Sequence, residues 1–117
     1  MIKRKASYPV EHREKMRDGN GAVIIEELLT PDEMYNRGRF YAKMTLLPGV
    51  SIGRHIHENE MESFYILSGE AEYSDNDGVI SLLPGDTALV QSGCWHSIRC
   101  AGDTPLELIA QILYEKL

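Results

Sequence analysis

From residue 38 onward, the chain alternates short runs of strand-forming residues with pairs of turn residues. The turn pairs are Pro48-Gly49, Ser68-Gly69, Asp77-Gly78, Pro84-Gly85 and Ser92-Gly93. Short apolar or alternating runs that are punctuated at such regular spacing are typical of β-sandwiches and β-barrels. The pattern therefore predicts an all-β fold of about eight strands, with no second domain.

The two ends of the chain are less regular. Residues 1–20 are polar and end in the turn cluster "RDGNG", so we predict an irregular N-terminal arm, followed by a single barrel domain over residues 21–117. The run "AVIIEELL" predicts a strand. A short helical turn follows, with Thr30 as its cap, Pro31 at the first position and Glu33 completing a capping box. The segment "LELIAQILYEKL" fits a strand or a helix, and we prefer the strand.

Composition excludes several classes of function. The 117 residues carry a net charge of −6 with scattered Lys and Arg, which argues against a nucleic-acid partner. No apolar run approaches the ~18 residues of a membrane helix, and the basic N-terminus lacks the apolar core of a signal peptide. We therefore expect a cytoplasmic protein without membrane contact, in which Cys94 and Cys100 are free thiols.

Three of the four histidines form a pattern that indicates metal chemistry. His55 and His57 are one residue apart, so on a strand they share a face at a separation of ~6.5 Å. Together with Glu62 and His96 they would give three imidazoles and one carboxylate, which is a typical donor set for a divalent transition metal. Calcium prefers oxygen ligands, and closed structural zinc sites more often use thiolates. The fourth histidine, His12, lies in the polar arm and is expected to be solvated.

The spacing of these residues resembles the two motifs of the cupin superfamily. The first motif, G-x5-H-x-H-x3-4-E-x6-G, is matched by Gly49, His55, His57, Glu62 and Gly69. The second, G-x5-P-x-G-x2-H-x3-N, is matched by Gly85, Gly93 and His96, whereas Gln91 and Cys100 replace its Pro and Asn. The resemblance implies a double-stranded β-helix, also called a jelly-roll barrel. It also implies one divalent metal per chain on His55, His57, Glu62 and His96, with manganese preferred and Fe, Ni, Zn and Co as alternatives.

Within that superfamily, the stretch "GVSIGRHIHENEMESFYILSGE" is similar to small oxalate-decarboxylase-like cupins. The similarity implies a metal-dependent protein that binds, and as an enzyme would transform, a small carboxylate or oxo-acid by decarboxylase, oxygenase or isomerase chemistry. The alternative is a non-catalytic sensor or accessory module that binds metal and a small ligand. Ile52 stands where oxalate decarboxylases carry a substrate-binding arginine, so we expect oxalate to bind weakly and to turn over slowly or not at all.

The residues around the metal ligands complete the expected site. The side chains that face the site should be mostly apolar, so a metal would supply most of its polarity. The expected side chains are Phe40 or Tyr41, Met44, Phe64, Ile66 and Ile98. Glu58 and Glu60 are expected as exposed turn charges, and Glu60 is the one candidate at the rim of the pocket. Apart from a water bound to the metal, no other catalytic group is assigned.

We expect the residues next to the ligands to have structural roles, and we expect the chain to form a homodimer. Arg54 should face away from the site. Cys100 should be a buried apolar residue ~13 Å along the strand from His96, and Cys94 should be half-exposed. A small open barrel leaves strand edges and apolar surface to cover, so we expect a homodimer formed through residues 22–29 and 106–117.

Overall fold

The structure, a computed structural model, describes all 117 residues and is built almost entirely of strands. The ten strands are β1 (Val10–Glu14), β2 (Ala22–Glu27), β3 (Gly38–Leu46), β4 (Ser51–Ile56), β5 (Glu60–Ser68), β6 (Ala71–Asp75), β7 (Gly78–Leu82), β8 (Thr87–Val90), β9 (Trp95–Cys100) and β10 (Leu106–Tyr114). Helical structure is limited to three-residue 3₁₀ turns at Lys5–Ser7, Met16–Asp18 and Asp32–Met34. No helix is long and apolar enough to cross a membrane.

The strands form two antiparallel sheets that enclose one core. The larger sheet has the order β1-β2-β3-β10-β5-β8, and the smaller has the order β4-β9-β6-β7. From β3 onward the chain alternates between the two sheets, except at the β6–β7 hairpin of the smaller sheet, as in a double-stranded β-helix. The predicted all-β jelly-roll class is therefore confirmed.

Every second side chain along the long strands faces inward and contributes to the core. Leu108 on β10 lies between Met44 on β3 and Ile66 on β5, and all three side chains are buried. Their sequence neighbours point outward, because successive side chains on a strand face opposite sides of the sheet. Complete burial of one such side chain stabilises the fold by roughly 1.5–3 kcal/mol. The interior of the sandwich is therefore apolar except where the histidines enter it.

Two predictions about local structure are resolved here. Residues 106–114 form strand β10, which pairs with β3 on one side and β5 on the other, so the helical alternative is wrong. The capping box is confirmed: Thr30 N–H donates to Glu33 Oε1 at 2.8 Å, and Glu33 N–H donates to Thr30 Oγ1 at 3.2 Å.

The N-terminal arm is more regular than predicted. Residues 10–14 form β1, which pairs with β2 along its whole length, so the expectation of an irregular segment is wrong there. All five residues of β1 are exposed. The segment therefore lacks the apolar alternation that identifies a half-buried strand, and its pairing is set by β2. The division into an arm over 1–20 and a domain over 21–117 stays a prediction.

A turn that follows β1 packs its backbone directly on β4. Asn20 N–H donates to Ser51 Oγ at 2.8 Å, and Ser51 N–H donates to the Asn20 carbonyl at 2.9 Å. A Cβ on Gly53 would lie 2.0 Å from the Arg17 carbonyl oxygen, and one on Gly19 would lie 2.1 Å from the Ser51 carbonyl oxygen. Glycine at both positions is what allows this close approach.

Candidate metal site

The four side chains predicted as ligands meet between the two sheets. His55 on β4 lies directly opposite His96 on β9 in the antiparallel register, and His57 follows β4 immediately. Glu62 enters from β5, which belongs to the larger sheet. The carboxylate therefore approaches from across the core, and not from a strand paired with β4.

Four of the six distances between the ligand atoms are those of adjacent ligands on one divalent ion, and all six are within 4.8 Å. His96 Nε2 lies 3.1 Å from His55 Nε2 and 3.2 Å from His57 Nε2. Glu62 Oε1 lies 3.0 Å from His96 Nε2 and 3.1 Å from His57 Nε2. Two ligands at adjacent positions, each about 2.1 Å from an ion, are separated by about 3 Å. The group could therefore hold a metal ion.

The other ring nitrogen of each histidine has a partner outside the cluster. His55 Nδ1–H donates to the Gly53 carbonyl at 2.7 Å, and His57 Nδ1–H donates to Glu60 Oε1 at 2.8 Å. His96 Nδ1 lies 3.1 Å from the Tyr73 hydroxyl oxygen. A carbonyl and a carboxylate can only accept, so the proton of a neutral His55 or His57 sits on Nδ1. Their Nε2 lone pairs then point into the cluster.

This arrangement brings acceptor atoms together without enough protons to pair them. Glu62, His57 and His96 are all nearly inaccessible to solvent, with 5%, 2% and 1% of their surface exposed. Buried acceptors that face one another are unfavourable unless a cation or proton lies between them. A single proton would bridge only one pair. The chemistry of the donor set therefore fits a divalent transition metal.

The pKa shifts within the cluster follow from burial and from the charge of Glu62. Burial alone would raise the pKa of Glu62, but hydrogen bonds with His55, His57 and His96 lower it far below its usual range. Burial lowers the pKa of His96, and Glu62 offsets this only in part. In His57, burial also acts to lower the pKa, but Glu62 and Glu60 together raise it above its usual value.

Comparison with known proteins agrees with this geometry. Residues 42–112 match the model of the cupin domain family, and an oxalate-binding protein from Thermotoga maritima is 40% identical over 97% of this chain and 93% of that protein. The chain belongs to the cupin family. The crystal structure of a predicted oxalate decarboxylase from Thermotoga maritima is similar to this cupin, with a TM-score of 0.93 and 39% identity over 97% of this chain and 99% of that one.

More distant cupin relatives share only part of this sequence. The xanthan biosynthesis protein XanB from Xanthomonas campestris is 32% identical over 72 residues, which are 61% of this chain but 15% of that protein. This cupin therefore corresponds to a small part of XanB.

Beside the histidines this cupin has a cavity of about 320 Å³, whose lining is more polar than predicted. Phe40, Ile52 and Ile112 contribute apolar surface. Four cationic side chains also line the cavity: two from strands β1 and β3 and two from the turn after β1 (Arg13, Arg39, Lys15 and Arg17). The expectation that a metal would supply most of the polarity is therefore wrong. The basic N-terminus was the only signal of these residues in the sequence.

A β-bulge in β4 places Ile52 in the wall of the cavity. The register between β4 and β9 shifts between Ile52 and His55, so Ile52 and His55 both face inward although they are three residues apart. Gly53, which lies inside the bulge, is the sequence signal that could have indicated it.

Glu60 differs from its predicted place. It was expected in an exposed turn or at the pocket rim, but it is buried with 8% of its surface exposed. Its carboxylate accepts hydrogen bonds from His57 Nδ1 and from Arg39 Nε and Nη2, the last two both at 2.7 Å. The hydrogen bonds from Arg39 lower the pKa of Glu60, and His57 adds to this effect. Glu60 therefore holds His57 through the ring nitrogen that faces away from the other ligands, and it does not line the cavity.

The other predicted positions divide between the cavity, the core and the surface. Phe40 lines the cavity and Tyr41 does not. Met44, Ile66 and Ile98 belong to the apolar core. The Phe64 ring stacks on His96 with centroids 5.1 Å apart, which restricts the orientation of that imidazole.

Three remaining expectations concern residues away from the cavity. The Arg54 side chain faces away from the histidines and lies over the Trp95 ring. Cys100 is buried, as predicted, whereas Cys94 is exposed. Glu58 and His12 are exposed, in agreement with the predictions.

Proposed function

We propose that this cupin binds one divalent metal at His55, His57, Glu62 and His96, and that the metal anchors a small carboxylate in the adjacent cavity. The observation that carries the proposal is the convergence of three imidazole nitrogens and one carboxylate oxygen, all within 4.8 Å of one another. Three nitrogen donors and one oxygen donor suit manganese or iron, which accept further oxygen ligands at open positions.

A carboxylate is the ligand class that the surroundings support. Its oxygens are hard donors that suit such a metal. Apart from Glu62, the cavity beside the histidines carries four cationic side chains and one carboxylate, that of Glu14. The similar Thermotoga protein is an oxalate-binding protein, which supports the same class of ligand. Charged groups that line a cleft of low polarity attract ligands of opposite sign.

The absence of an arginine at position 52 should reduce carboxylate binding less than the sequence alone suggested. Ile52 lines the cavity and offers no hydrogen bond, but Arg13 and Arg39 line the same cavity from other strands. Arg39 uses Nε and one N–H of Nη2 on Glu60, and its remaining donors are uncommitted because a guanidinium has five N–H groups. Carboxylate binding therefore does not depend on position 52.

The test is a calorimetric titration of oxalate into manganese-loaded protein and into protein stripped by a chelator. The proposal predicts binding to the loaded form and at least a tenfold weaker signal for the stripped form. Leu106→Val, a buried core substitution at the end of β10 remote from Glu62, is the control for general damage. Equal affinity for oxalate with and without metal would contradict the metal-anchored site.

Turnover is tested in the same samples. Carbon dioxide and formate are assayed after incubation of oxalate with the loaded protein. Formation of both products would add decarboxylase activity to the proposed binding. Binding of oxalate without turnover would favour a sensor or accessory role.

A further inference from the structure

In the turn between β1 and β2, three of four consecutive residues have unfavourable backbone dihedral angles. Lys15, Arg17 and Asp18 have φ values of 48°, 55° and 63°, in the left-handed region that residues other than glycine rarely adopt. Such strain persists only where the surrounding structure enforces it, and it is common at functional sites. Here it is enforced by the contacts of Gly19, Gly53 and Ser51 described above.

The strained turn carries cations to the cavity that contains the histidines. Lys15 and Arg17 from this turn line the cavity, as does Arg13 from the neighbouring end of β1. Arg13 is paired with Glu11, with Nε 2.7 Å from Oε2, and Arg39 is paired with Glu60. Lys15 and Arg17 have no carboxylate within ion-pair distance. Glu14, which also lines the cavity, is unpaired as well. The free charges of this segment at the cavity are therefore two positive and one negative.

The cavity is larger than the smallest dicarboxylate requires. At about 30 Å³ for each water molecule in the liquid, its volume of about 320 Å³ corresponds to roughly ten waters. Oxalate has six non-hydrogen atoms and can place oxygens from both carboxylates on one metal. A longer acid would extend from the histidines toward the turn.

We propose that residues 13–17 select ligands with a second negative charge, so that the preferred ligand is a small dianionic acid. One end of the acid chelates the metal, and the other end lies among Lys15, Arg17 and the free donors of Arg39. This inference rests on the proposed metal-anchored binding of carboxylates. It adds the class of ligand and the segment that recognises it.

The experiment compares L-malate with L-lactate in calorimetric titrations of the manganese-loaded protein. Both acids offer the same 2-hydroxycarboxylate to the metal, and only malate has a distal carboxylate. We expect malate to bind roughly tenfold more tightly, since a charge-assisted hydrogen bond contributes strongly in a partly enclosed site. The preference should decrease as salt is raised, because exposed charges are screened.

The variant Lys15→Gln/Arg17→Gln separates recognition from folding. It should remove most of the preference for malate by lowering malate affinity far more than lactate affinity, while manganese affinity and melting temperature stay unchanged. Arg4→Gln, which removes one exposed positive charge outside the cavity, should keep the full preference.

Three outcomes would overturn the inference in distinguishable ways. Equal affinity of the wild type for both acids, observed only with metal present, would refute the selectivity and leave the proposed function intact. An equal loss of lactate and malate binding in the double variant would assign the turn a structural role. No binding of either acid, or equal binding without metal, would overturn the proposed function as well.

Discussion

Glu60 illustrates how a single buried residue prepares the candidate metal site. Its carboxylate fixes the tautomer of His57 by accepting from Nδ1, and Arg39 holds the carboxylate in place through two hydrogen bonds. Partners of this kind orient ligating imidazoles and raise their basicity, and their loss commonly lowers metal affinity by about 10–100-fold. We therefore infer that Glu60 is a positioning residue for the proposed metal.

The variant Glu60→Gln should weaken manganese binding by about tenfold or more, because the amide retains the shape but loses the charge. A competition titration with a metal-binding dye measures the affinity. Glu58→Gln, an exposed neighbour, is the matched control and should bind manganese normally. Unchanged affinity in Glu60→Gln would show that the Glu60–His57 contact does not matter for the metal.

The pKa shift of His57 predicts how metal binding depends on pH. Glu62 and Glu60 outweigh burial and raise the pKa of His57 in the metal-free protein. A proton therefore competes with the metal at a higher pH than the usual value of about 6.5. The same raised pKa stabilises the metal-free fold at low pH, and this contribution is lost as pH rises through the folded pKa.

The increase in melting temperature caused by manganese should therefore be smaller at about pH 5.5 than at about pH 7.5. Thermal unfolding is measured at both pH values with manganese and with chelator. An increase that is the same at both pH values would argue against imidazole ligands.

At the scale of elements, the packing of the N-terminal turn on β4 depends on glycine. Gly53→Ala would place a Cβ 2.0 Å from the Arg17 carbonyl oxygen, so the two backbones must separate. Forced repacking of this kind costs about 1–3 kcal/mol, and 1 kcal/mol shifts the melting temperature of a domain this size by about 4–8 °C. The prediction is a clearly lower melting temperature together with weaker malate binding.

Gly102→Ala is the matched control for this substitution, since its nearest neighbour to the added Cβ would be Glu70 Cβ at 3.8 Å. It should change the melting temperature little. Equal melting temperatures for Gly53→Ala and the wild type would mean that the turn does not pack on β4 as closely as described.

The limits of sequence interpretation are clearest in these same elements. Turn pairs and apolar alternation located the nine strands β2–β10, because those signals are local. β1 escaped detection because it is exposed on both faces and has no alternation. Glu60 was misplaced because its partner Arg39 is 21 residues away. The four candidate metal ligands could be predicted because their spacing in the sequence forms a motif. The cations of the cavity could not, because only the tertiary structure brings them together.

At the scale of the whole molecule, the homodimer remains a prediction, but the structure changes where we expect its interface. The segments first assigned to it form β2 and β10, each paired on both edges, so neither can extend a sheet into a partner. The outer face of the larger sheet exposes Tyr65, Leu67 and Leu89 at 47%, 42% and 49%. Neighbouring apolar side chains on one sheet face indicate an interaction surface.

Light scattering at micromolar concentration should therefore give twice the chain mass of 13.2 kDa. Leu67→Glu/Leu89→Glu should shift the protein to monomer, because a charge in an apolar interface is costly. Val79→Glu, on the smaller sheet, should remain dimeric. A monomeric wild type would refute the dimer.

The most direct test of the metal site is elemental mass spectrometry of protein purified without chelator. The wild type and His57→Ala/His96→Ala are compared, with circular dichroism to show that both retain the β fold. The proposed site predicts about one divalent metal per wild-type chain and almost none in the variant, because three nitrogen donors become one. Full metal content in the folded variant would contradict the assignment of His57 and His96 as ligands.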